Sequence, residues 1–316
     1  MNDLSLGVSD ADLEAYRDAR DPYRHVRDIA GFRASVEVSL SQPELCPRGD
    51  SLPWPKTAGK IAFLPGEVTL WHGINGHGKS AVTTQIGLWW AILGKPVCLA
   101  SFEMLPIRTI ERMVKQCAGT PNPSERFVGD FFDRMAGRVW IYDVRGSIDP
   151  TRLFAVIRYA ASELQIRHFF VDSLMKCVKG EDDYNGQKDF VGMLCQLAHE
   201  TGIHIHLVHH VRKGQTESIP SKFDAKGSGA ITDQADNVIA VWRNKAKEAE
   251  RQLGDKGAVD ESAPDFLLIC DKQRNVGWEG KIGLWGDLET WHFRESQEQP
   301  WSKGYELPRQ PGDDDA

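Results

Sequence analysis

Short apolar runs alternate with amphipathic stretches from about residue 60 to residue 271, and this alternation is the main pattern of the chain. The apolar runs predict seven strands: Val68–Trp71, Val97–Phe102, Val139–Tyr142, His168–Asp172, His204–Val208, Asn237–Trp242 and Phe266–Asp271. The stretches between them predict helices over residues 80–93, 106–118, 150–164 and 187–201. Strands that alternate with helices are typical of a parallel sheet covered by helices. We therefore predict an α/β fold with a mainly parallel sheet flanked by helices.

The pattern divides the chain into three regions. Residues 1–58 lack a core pattern and are predicted to form an N-terminal arm, in which residues 9–12 resemble a capping box before a short helix. Residues 59–296 form the predicted domain, with a charged, solvated insertion over residues 244–264. Residues 297–316 end in three aspartates followed by an alanine and are predicted to be an acidic disordered tail.

Composition excludes several classes of protein. The net charge of −7 argues against a protein that coats duplex DNA, although local basic side chains in a channel can still bind nucleic acid. No apolar run approaches the roughly 18 residues that span a bilayer, and the polar N-terminus is unlike a signal peptide. We predict a cytoplasmic protein of a bacterium or a phage-infected cell, without a membrane partner. The six cysteines form no CxxC pair, which argues against a zinc ribbon or a disulfide scaffold.

A phosphate-binding loop follows the first predicted strand. The loop fits the pattern GxxxxGK[ST] over the segment Gly73-Ile74-Asn75-Gly76-His77-Gly78-Lys79-Ser80. A predicted helix begins at its end, and Ala81, the next residue, is also expected to contact the nucleotide. In such a loop, backbone N–H groups and the helix N-terminus face phosphate oxygens. We expect this segment to bind ATP, with Lys79 on the β- and γ-phosphates and the Ser80 hydroxyl on Mg²⁺.

Two carboxylates end other predicted strands. Asp172 closes the run His168–Asp172, at the sheet edge where ligands of α/β proteins bind, and it suits the coordination of Mg²⁺. Glu103 lies at the tip of the strand that starts at Val97, where it could deprotonate an attacking water.

Together these residues resemble the RecA-like motor domain of the replicative ring helicases, the family of DnaB, the phage T7-type helicases and Twinkle. The resemblance rests on five segments in the same order, which are Phe102–Met104, Val208–Lys213, Gly227–Ala230, Gln234–Val238 and Lys272–Asn275. It implies that Glu103 is the catalytic base and that His210 senses the γ-phosphate. It further implies that Lys272 senses the γ-phosphate and that Arg274 is an arginine finger donated to a neighbouring subunit.

The resemblance also implies a function and partners. We expect an ATP-driven DNA helicase that moves 5′ to 3′ along single-stranded DNA as a homo-oligomeric, hexameric ring. Basic residues on two loops are predicted to contact the strand, namely Lys176 on the first and Arg212, Lys213 and Lys222 on the second. The arm is too short for a primase module, so a separate primase or polymerase is an expected partner, and the arm could include a helix that links subunits.

Two other classes of protein with a different function also contain this phosphate loop. A recombinase or recombination mediator of the RecA class would form filaments on DNA, and a nucleotide-switch assembly protein would bind ATP without acting as a motor. Glu103 favours hydrolysis over a switch, and the segment from Lys272 to Arg274 favours the ring helicase. Two further groups are interpreted as structural: His204 and His206 as core histidines, and Arg108, Arg112 and Lys115 as an exposed or intersubunit helix face.

Overall fold

A nine-stranded sheet is the centre of the protein as seen in a computed structural model, which describes residues 28–41, 49–180, 182–210, 229–253, 259–299 and 304–308. The strands, with the short β1–β2 pair outside the large sheet, are β1 (Asp50–Ser51), β2 (Ala62–Phe63), β3 (Val68–His72), β4 (Val97–Ser101), β5 (Val139–Ile141), β6 (His168–Asp172), β7 (His204–Val208), β8 (Asn237–Arg243), β9 (Phe266–Gln273), β10 (Gly280–Asp287) and β11 (His292–Arg294). The helices are α1 (Arg33–Ser41), α2 (Lys79–Ile92), α3 (Pro106–Ala118), α4 (Glu125–Met135), α5 (Pro150–Ser162), α6 (Tyr184–Thr201), α7 (Gly229–Gln234) and α8 (Lys245–Leu253).

The order of strands in the large sheet is β11-β10-β9-β8-β3-β7-β6-β4-β5. The strands from β8 to β5 pair in parallel, while β9, β10 and β11 extend the sheet in antiparallel register. The predicted α/β class with a mainly parallel sheet is confirmed, and all seven predicted strands are present. The sequence pattern missed β10 and β11, because β10 is interrupted by glycines and β11 is only three residues long.

Apolar side chains from alternate positions of the strands cover both faces of the sheet. Phe169 and Val171 of β6 pack on one side with Leu194 of α6, whereas Phe170 packs on the other side with Ile86 of α2. Successive side chains of a strand point to opposite faces, so a strand that is buried on both faces reads as a continuous apolar run. This is why the central strands could be recognised in the sequence.

The predicted arm boundary at residue 58 is wrong, because residues 49–58 pack into the domain. Leu52 and Trp54 are each 3% exposed, and the Trp54 Nε1 donates to the carbonyl of Phe293 at 2.9 Å. Ser51 accepts a hydrogen bond of 2.8 Å from the indole of Trp90. The proline-rich segment over residues 52–55 has neither helical nor strand periodicity, so its contribution to the core could not be predicted from the sequence pattern. The helix predicted after residue 12 lies outside the described residues.

Part of the predicted tail and part of the predicted insertion are also packed. Tyr305 donates its backbone N–H to Cys117 at 2.8 Å, and its hydroxyl accepts from Gln85 at 2.7 Å, so residues 304–308 are not the disordered tail that we predicted. In the insertion, Lys247 of α8 is 3% exposed and lies 3.0 Å from Asp265. Within the described part of the chain, no helix is long and apolar enough to cross a bilayer.

Three buried histidines cluster on the sheet: His168 and His206 are hydrogen-bonded to each other, and the ring of His204 stacks on that of His206. The Nε2 of His168 lies 2.7 Å from Asp50, and its Nδ1 lies 3.1 Å from His206, which accepts from the indole of Trp71 at 3.1 Å. His204 bonds the hydroxyl of Thr69 and the carbonyl of Leu64. Burial lowers the pKa of all three histidines, that of His204 to about 3. The interpretation of His204 and His206 as core residues agrees with these contacts.

This cluster predicts acid sensitivity of the fold. In the unfolded chain the histidines take up protons near pH 6.5, while in the folded protein they stay neutral to lower pH. The free energy of unfolding should therefore fall as the pH drops below 6.5 towards 3, by up to about 1.4 kcal/mol per pH unit for each histidine. Urea denaturation between pH 7.5 and 5 measures this slope. His204→Gln should flatten it, while His199→Gln, at an exposed site on α6, should not; equal slopes in all three proteins would contradict the assignment.

Candidate nucleotide-binding and catalytic site

The loop between β3 and α2 has the backbone shape of a phosphate cradle. Gly73, Gly76 and Gly78 have φ angles of 142°, 79° and 87°, which favour glycine. A Cβ at Gly73 would lie 2.4 Å from the carbonyl of Val241, so no other residue fits there. Gly78 caps α2 without a side-chain hydrogen bond, which leaves the first N–H groups of the helix facing an open loop. These features fit the binding of an anion.

Lys79 lies inside this loop. It is 3% exposed, and its Nζ donates to the carbonyls of Gly73 at 2.7 Å and Ile74 at 3.0 Å. Burial lowers the pKa of Lys79 to about 8, although Asp172 and Glu103 act in the opposite direction. Negatively charged phosphate oxygens would stabilise the cation more strongly than the two carbonyls do. Ala81, also predicted to bind the nucleotide, donates its N–H to Gly78 at 3.0 Å.

The predicted metal ligands are in contact. The Ser80 hydroxyl donates to the Asp172 carboxylate. Burial raises the pKa of Asp172, and the hydrogen bond from Ser80 opposes this shift. A hydroxyl and a carboxylate beside a phosphate loop are oxygen ligands that Mg²⁺ prefers, so the pair fits the ion, which when bound would neutralise phosphate charge.

Glu103 stands at the tip of β4 beside two side chains from other strands. Its Oε1 accepts a hydrogen bond of 3.0 Å from the Ser173 hydroxyl and lies 3.7 Å from Nε2 of His210. Glu103 is 39% exposed, so solvent water can reach it. Burial lowers the pKa of His210, which therefore stays neutral near pH 7. The structure thus brings Glu103, His210 and Asp172 together at one edge of the sheet; Ser173 gave no signal in the sequence.

His77 ties the phosphate loop to a neighbouring strand. Its side chain is 3% exposed, and its Nδ1 accepts a hydrogen bond of 3.0 Å from the backbone N–H of Arg243 at the end of β8. Burial lowers the pKa of His77 to about 4, so the ring is a neutral acceptor. The Arg243 guanidinium lies 5.5 Å from the centre of the Trp291 ring, beside Gly78. The sequence indicated only that His77 belongs to the loop.

Arg112 lines the site and is half-buried, so the interpretation that it lies on an exposed helix face is wrong. With Ser80 and Asp172 it lines a small cavity, whereas Arg108 on the same helix is exposed. Burial lowers the pKa of Arg112, and the charge of Asp172 opposes this. Within the described part of the chain, the hydrogen-bond partner of its guanidinium is the Met104 thioether at 3.2 Å, a weak acceptor. A half-buried guanidinium with so poor a partner is suited to a phosphate oxygen.

Loss of Arg112 should weaken nucleotide binding. A hydrogen bond to a charged group contributes about 1.5–3 kcal/mol, so we expect Arg112→Ala to raise the Kd for Mg²⁺-ATP about 10- to 100-fold. A fluorescent ATP analogue titrated into each variant measures this. Arg108→Ala removes an arginine that pairs with Glu111 at 2.9 Å on the solvent side and serves as the matched control. If both variants bind like the wild type, Arg112 does not contact the nucleotide.

Lys272 and Arg274 lie far from this site. Strand β9 begins with Phe266, which pairs with Arg243 near the phosphate loop, and ends with Gln273, which pairs with Asn237 at the opposite edge of the sheet. Seven residue steps of a strand cover roughly 24 Å. Both cations therefore lie at the edge away from the phosphate loop of their own chain.

The predicted DNA-binding residues are only partly described. Lys176 ends a short 3₁₀ turn after Asp172 and lines a pocket of about 470 Å³ between α5 and α6, beside Phe154 and Phe190. Arg212, Lys213 and Lys222 lie outside the described residues, as do Gly227 and Ser228.

A known protein family matches the part of the chain that contains this site. The family described as AAA domain matches residues 51–216, which include the phosphate loop, Glu103, Asp172 and His210. The DNA helicase/primase of Enterobacteria phage T3 is 24% identical over 250 residues. That alignment covers 71% of this chain and 41% of the phage protein, so this chain matches less than half of its relative.

Solved structures share the fold. A DnaB-like replicative helicase, described with its interactions with primase, superposes with a TM-score of 0.66 at 15% identity, and the match covers 85% of this chain and 67% of that one. A second solved structure, described as an ATPase domain, superposes with a TM-score of 0.65, also at 15% identity, and the match covers 86% of this chain and all of that one. The fold is thus that of RecA-like helicase ATPase domains, as the sequence motifs implied.

Proposed function

The chain belongs to the AAA domain family, and from that premise we propose that it is the ATP-hydrolysing motor of a replicative DNA helicase that acts as a ring on single-stranded DNA. The helicase relatives and the shared fold support this proposal. The specific proposal is a homohexamer that moves 5′ to 3′ in the cytoplasm of a bacterium or a phage-infected cell. A separate primase or polymerase is the proposed partner.

The observation that carries the proposal is that Arg274 lies at the edge of the sheet opposite the phosphate loop of its own chain. Lys79, Ser80, Glu103 and Asp172 meet at one edge of the sheet, whereas Lys272 and Arg274 lie at the other end of β9, a strand roughly 24 Å long. A cation at that distance cannot reach the phosphates bound by its own chain. A neighbouring copy whose opposite edge faces the phosphate loop would bring its Arg274 to the site.

Each residue then has a role that its position supports. Lys79 binds the β- and γ-phosphates, and Ser80 with Asp172 holds Mg²⁺. Glu103 accepts a proton from the attacking water, and Ser173 fixes the carboxylate with a hydrogen bond of 3.0 Å. His210 lies 3.7 Å from Glu103 and directly precedes the basic segment in the sequence, so its proposed role is to relay the state of the phosphate to that segment. Arg274 of the neighbouring copy stabilises the charge that develops on the γ-phosphate.

Two basic segments that follow strands of the sheet in the sequence are proposed to bind DNA. Lys176 follows Asp172, and Arg212, Lys213 and Lys222 follow His210, so both segments come after strands whose carboxyl ends lie at the candidate nucleotide site. Lysine and arginine side chains on such loops would contact phosphates of the strand without reading its sequence.

Helix α1 supports assembly. Ile29 and Leu40 are 85% and 80% exposed, and Val36 is 51% exposed, so apolar side chains of residues 28–41 face solvent in the single chain. An apolar surface on another copy would cover these side chains. We propose that residues 28–41 link subunits of the ring in this way.

Unwinding of forked DNA tests the proposal. The purified chain with Mg²⁺-ATP should separate a fork that carries a 5′ single-stranded tail and leave a fork with only a 3′ tail intact. Lys79→Ala should unwind neither fork, because it cannot bind the phosphates. Unwinding from the 3′ tail would contradict the polarity. Absence of unwinding, together with ATPase activity that ignores single-stranded DNA, would contradict the motor.

Electron microscopy with nucleotide and single-stranded DNA separates the ring from the recombinase alternative. Closed rings support the helicase. Continuous filaments along the DNA would instead favour a RecA-class recombinase or mediator, which shares the phosphate loop and Glu103.

A further inference from the structure

Asp236 lies at the sheet edge opposite the phosphate loop, where its carboxylate contacts both Val68 and Arg274. It lies between α7 and β8, and its side chain is 4% exposed. Its Oδ2 accepts a hydrogen bond of 2.9 Å from the backbone N–H of Val68, the first residue of β3. Its Oδ1 lies 3.1 Å from Nη1 of Arg274. One buried carboxylate thus holds the strand that leads to the phosphate loop and the arginine at the opposite edge.

The Arg274 guanidinium is hydrogen-bonded along one edge and exposed to solvent along the other. Its Nη2 donates to the Asp233 carbonyl at 3.2 Å, and its backbone N–H donates to the Asp236 carbonyl at 3.0 Å. The side chain is nevertheless 50% exposed. An arginine presents five N–H donors in a rigid plane, so a carboxylate on one edge leaves other donors for a phosphate.

Lys272 stabilises the turn that carries Asp236. Its Nζ donates to three backbone carbonyls at the end of α7, which are those of Thr232 at 2.9 Å, Asp233 at 2.9 Å and Ala235 at 2.7 Å. With three acceptors its hydrogen-bonding capacity is filled within the chain. Of the two cations, Arg274 is therefore the one presented to a neighbour.

We propose that Asp236 is a positioning residue for Arg274, which fixes the guanidinium in the orientation that a neighbouring subunit needs. The inference rests on the proposed function, in which Arg274 completes the site of another copy. A preorganised cation stabilises developing charge without reorganising during the reaction. Without the carboxylate, the long side chain samples many rotamers, and a displacement of about 1 Å can lower a rate about 100-fold.

Asp236→Asn isolates this role. The amide oxygen still accepts from the N–H of Val68, while the amide NH₂ now faces the guanidinium and cannot bind it. We expect kcat for ATP to fall about 10- to 100-fold, with little change in KM or in the Kd for nucleotide, because the variant's own phosphate loop is intact. Asp233→Asn is the matched control, since it removes an adjacent exposed carboxylate and keeps the carbonyl that Arg274 and Lys272 use.

A double-mutant cycle distinguishes positioning from general support of the fold. If Asp236 acts through Arg274, Asp236→Asn should lower kcat no further in a protein that already carries Arg274→Ala. A further loss of similar size would overturn the proposal. If Asp236→Asn does not assemble, Asp236→Ser is tested in the same cycle; failure of both to assemble would show a need of the fold and also overturn it.

Mixed oligomers locate the defect. Glu103→Gln subunits hydrolyse ATP only slowly but keep Asp236 and Arg274, so they should restore turnover in Asp236→Asn neighbours, and the mixture should exceed the sum of the two pure variants. No recovery would overturn the positioning role, provided that Arg274→Ala mixed with Glu103→Gln does recover. If that second mixture also fails, the shared site of the proposed function is wrong instead.

Discussion

Arg274→Ala should bind Mg²⁺-ATP as the wild type does and hydrolyse it about 10³- to 10⁵-fold more slowly. The guanidinium lies roughly 24 Å along β9 from its own phosphate loop, so its loss cannot disturb ground-state binding there. Under the proposed function, the variant loses stabilisation of the charge that spreads over the γ-phosphate oxygens in the transition state of a neighbouring site. Steady-state phosphate release with saturating single-stranded DNA measures kcat, and titration with a fluorescent analogue measures binding.

Two variants make this result specific. Lys281→Ala removes an exposed cation from the adjacent strand β10 and should leave kcat unchanged. Arg274→Lys keeps the charge but not the planar fork of donors, so it should recover only part of the rate. If Arg274→Ala weakens nucleotide binding and hydrolysis equally, Arg274 contributes to uniform binding or to the fold and is not a transition-state residue.

Glu103→Gln should lower kcat about 10²- to 10⁴-fold, the contribution of a positioned general base. The amide can still accept the hydrogen bond from Ser173 and is close in size to the carboxylate, so the site keeps its shape while losing the group that takes the proton. Nucleotide affinity should stay near the wild-type value or improve, because one negative charge near the phosphates is removed. Single-turnover hydrolysis on single-stranded DNA measures the chemical step.

Glu289→Gln, at an exposed position after β10, is the control for the loss of one charge and should hydrolyse normally. Turnover by Glu103→Gln that matches the wild type, with or without DNA, would remove the base from the mechanism. It would also leave a nucleotide switch as the better description of the protein.

The parts of this fold that could be predicted from sequence are those in which local and global patterns agree. The central strands are buried on both faces, so β6 and β7 appear in the sequence as continuous runs with the bounds that the structure has. The phosphate loop could be found because its glycines and Lys79 are fixed by backbone geometry and ligand chemistry. Glu103 and Asp172 followed from their place at strand ends.

The remaining features depend on contacts between distant segments. Trp54 belongs to the core only because Phe293, far along the chain, accepts its hydrogen bond. Arg112 shares spacing with exposed Arg108, and only the packing of α3 against α2 shows that it faces the nucleotide site. Asp236 is an acid before a strand in the sequence, and its link to Val68 and Arg274 requires the order of strands in the sheet. One-dimensional periodicity carries no information on such pairs.

Strand β9 has a consequence for how a ring could change shape. It is hydrogen-bonded to β8 on one side and β10 on the other, so its length cannot vary. In the proposed ring, each subunit would therefore keep a constant spacing between its phosphate loop and its Arg274. Differences among the nucleotide sites of such a ring would then arise from movement of whole subunits relative to one another, and the step per ATP would depend on the size of that movement.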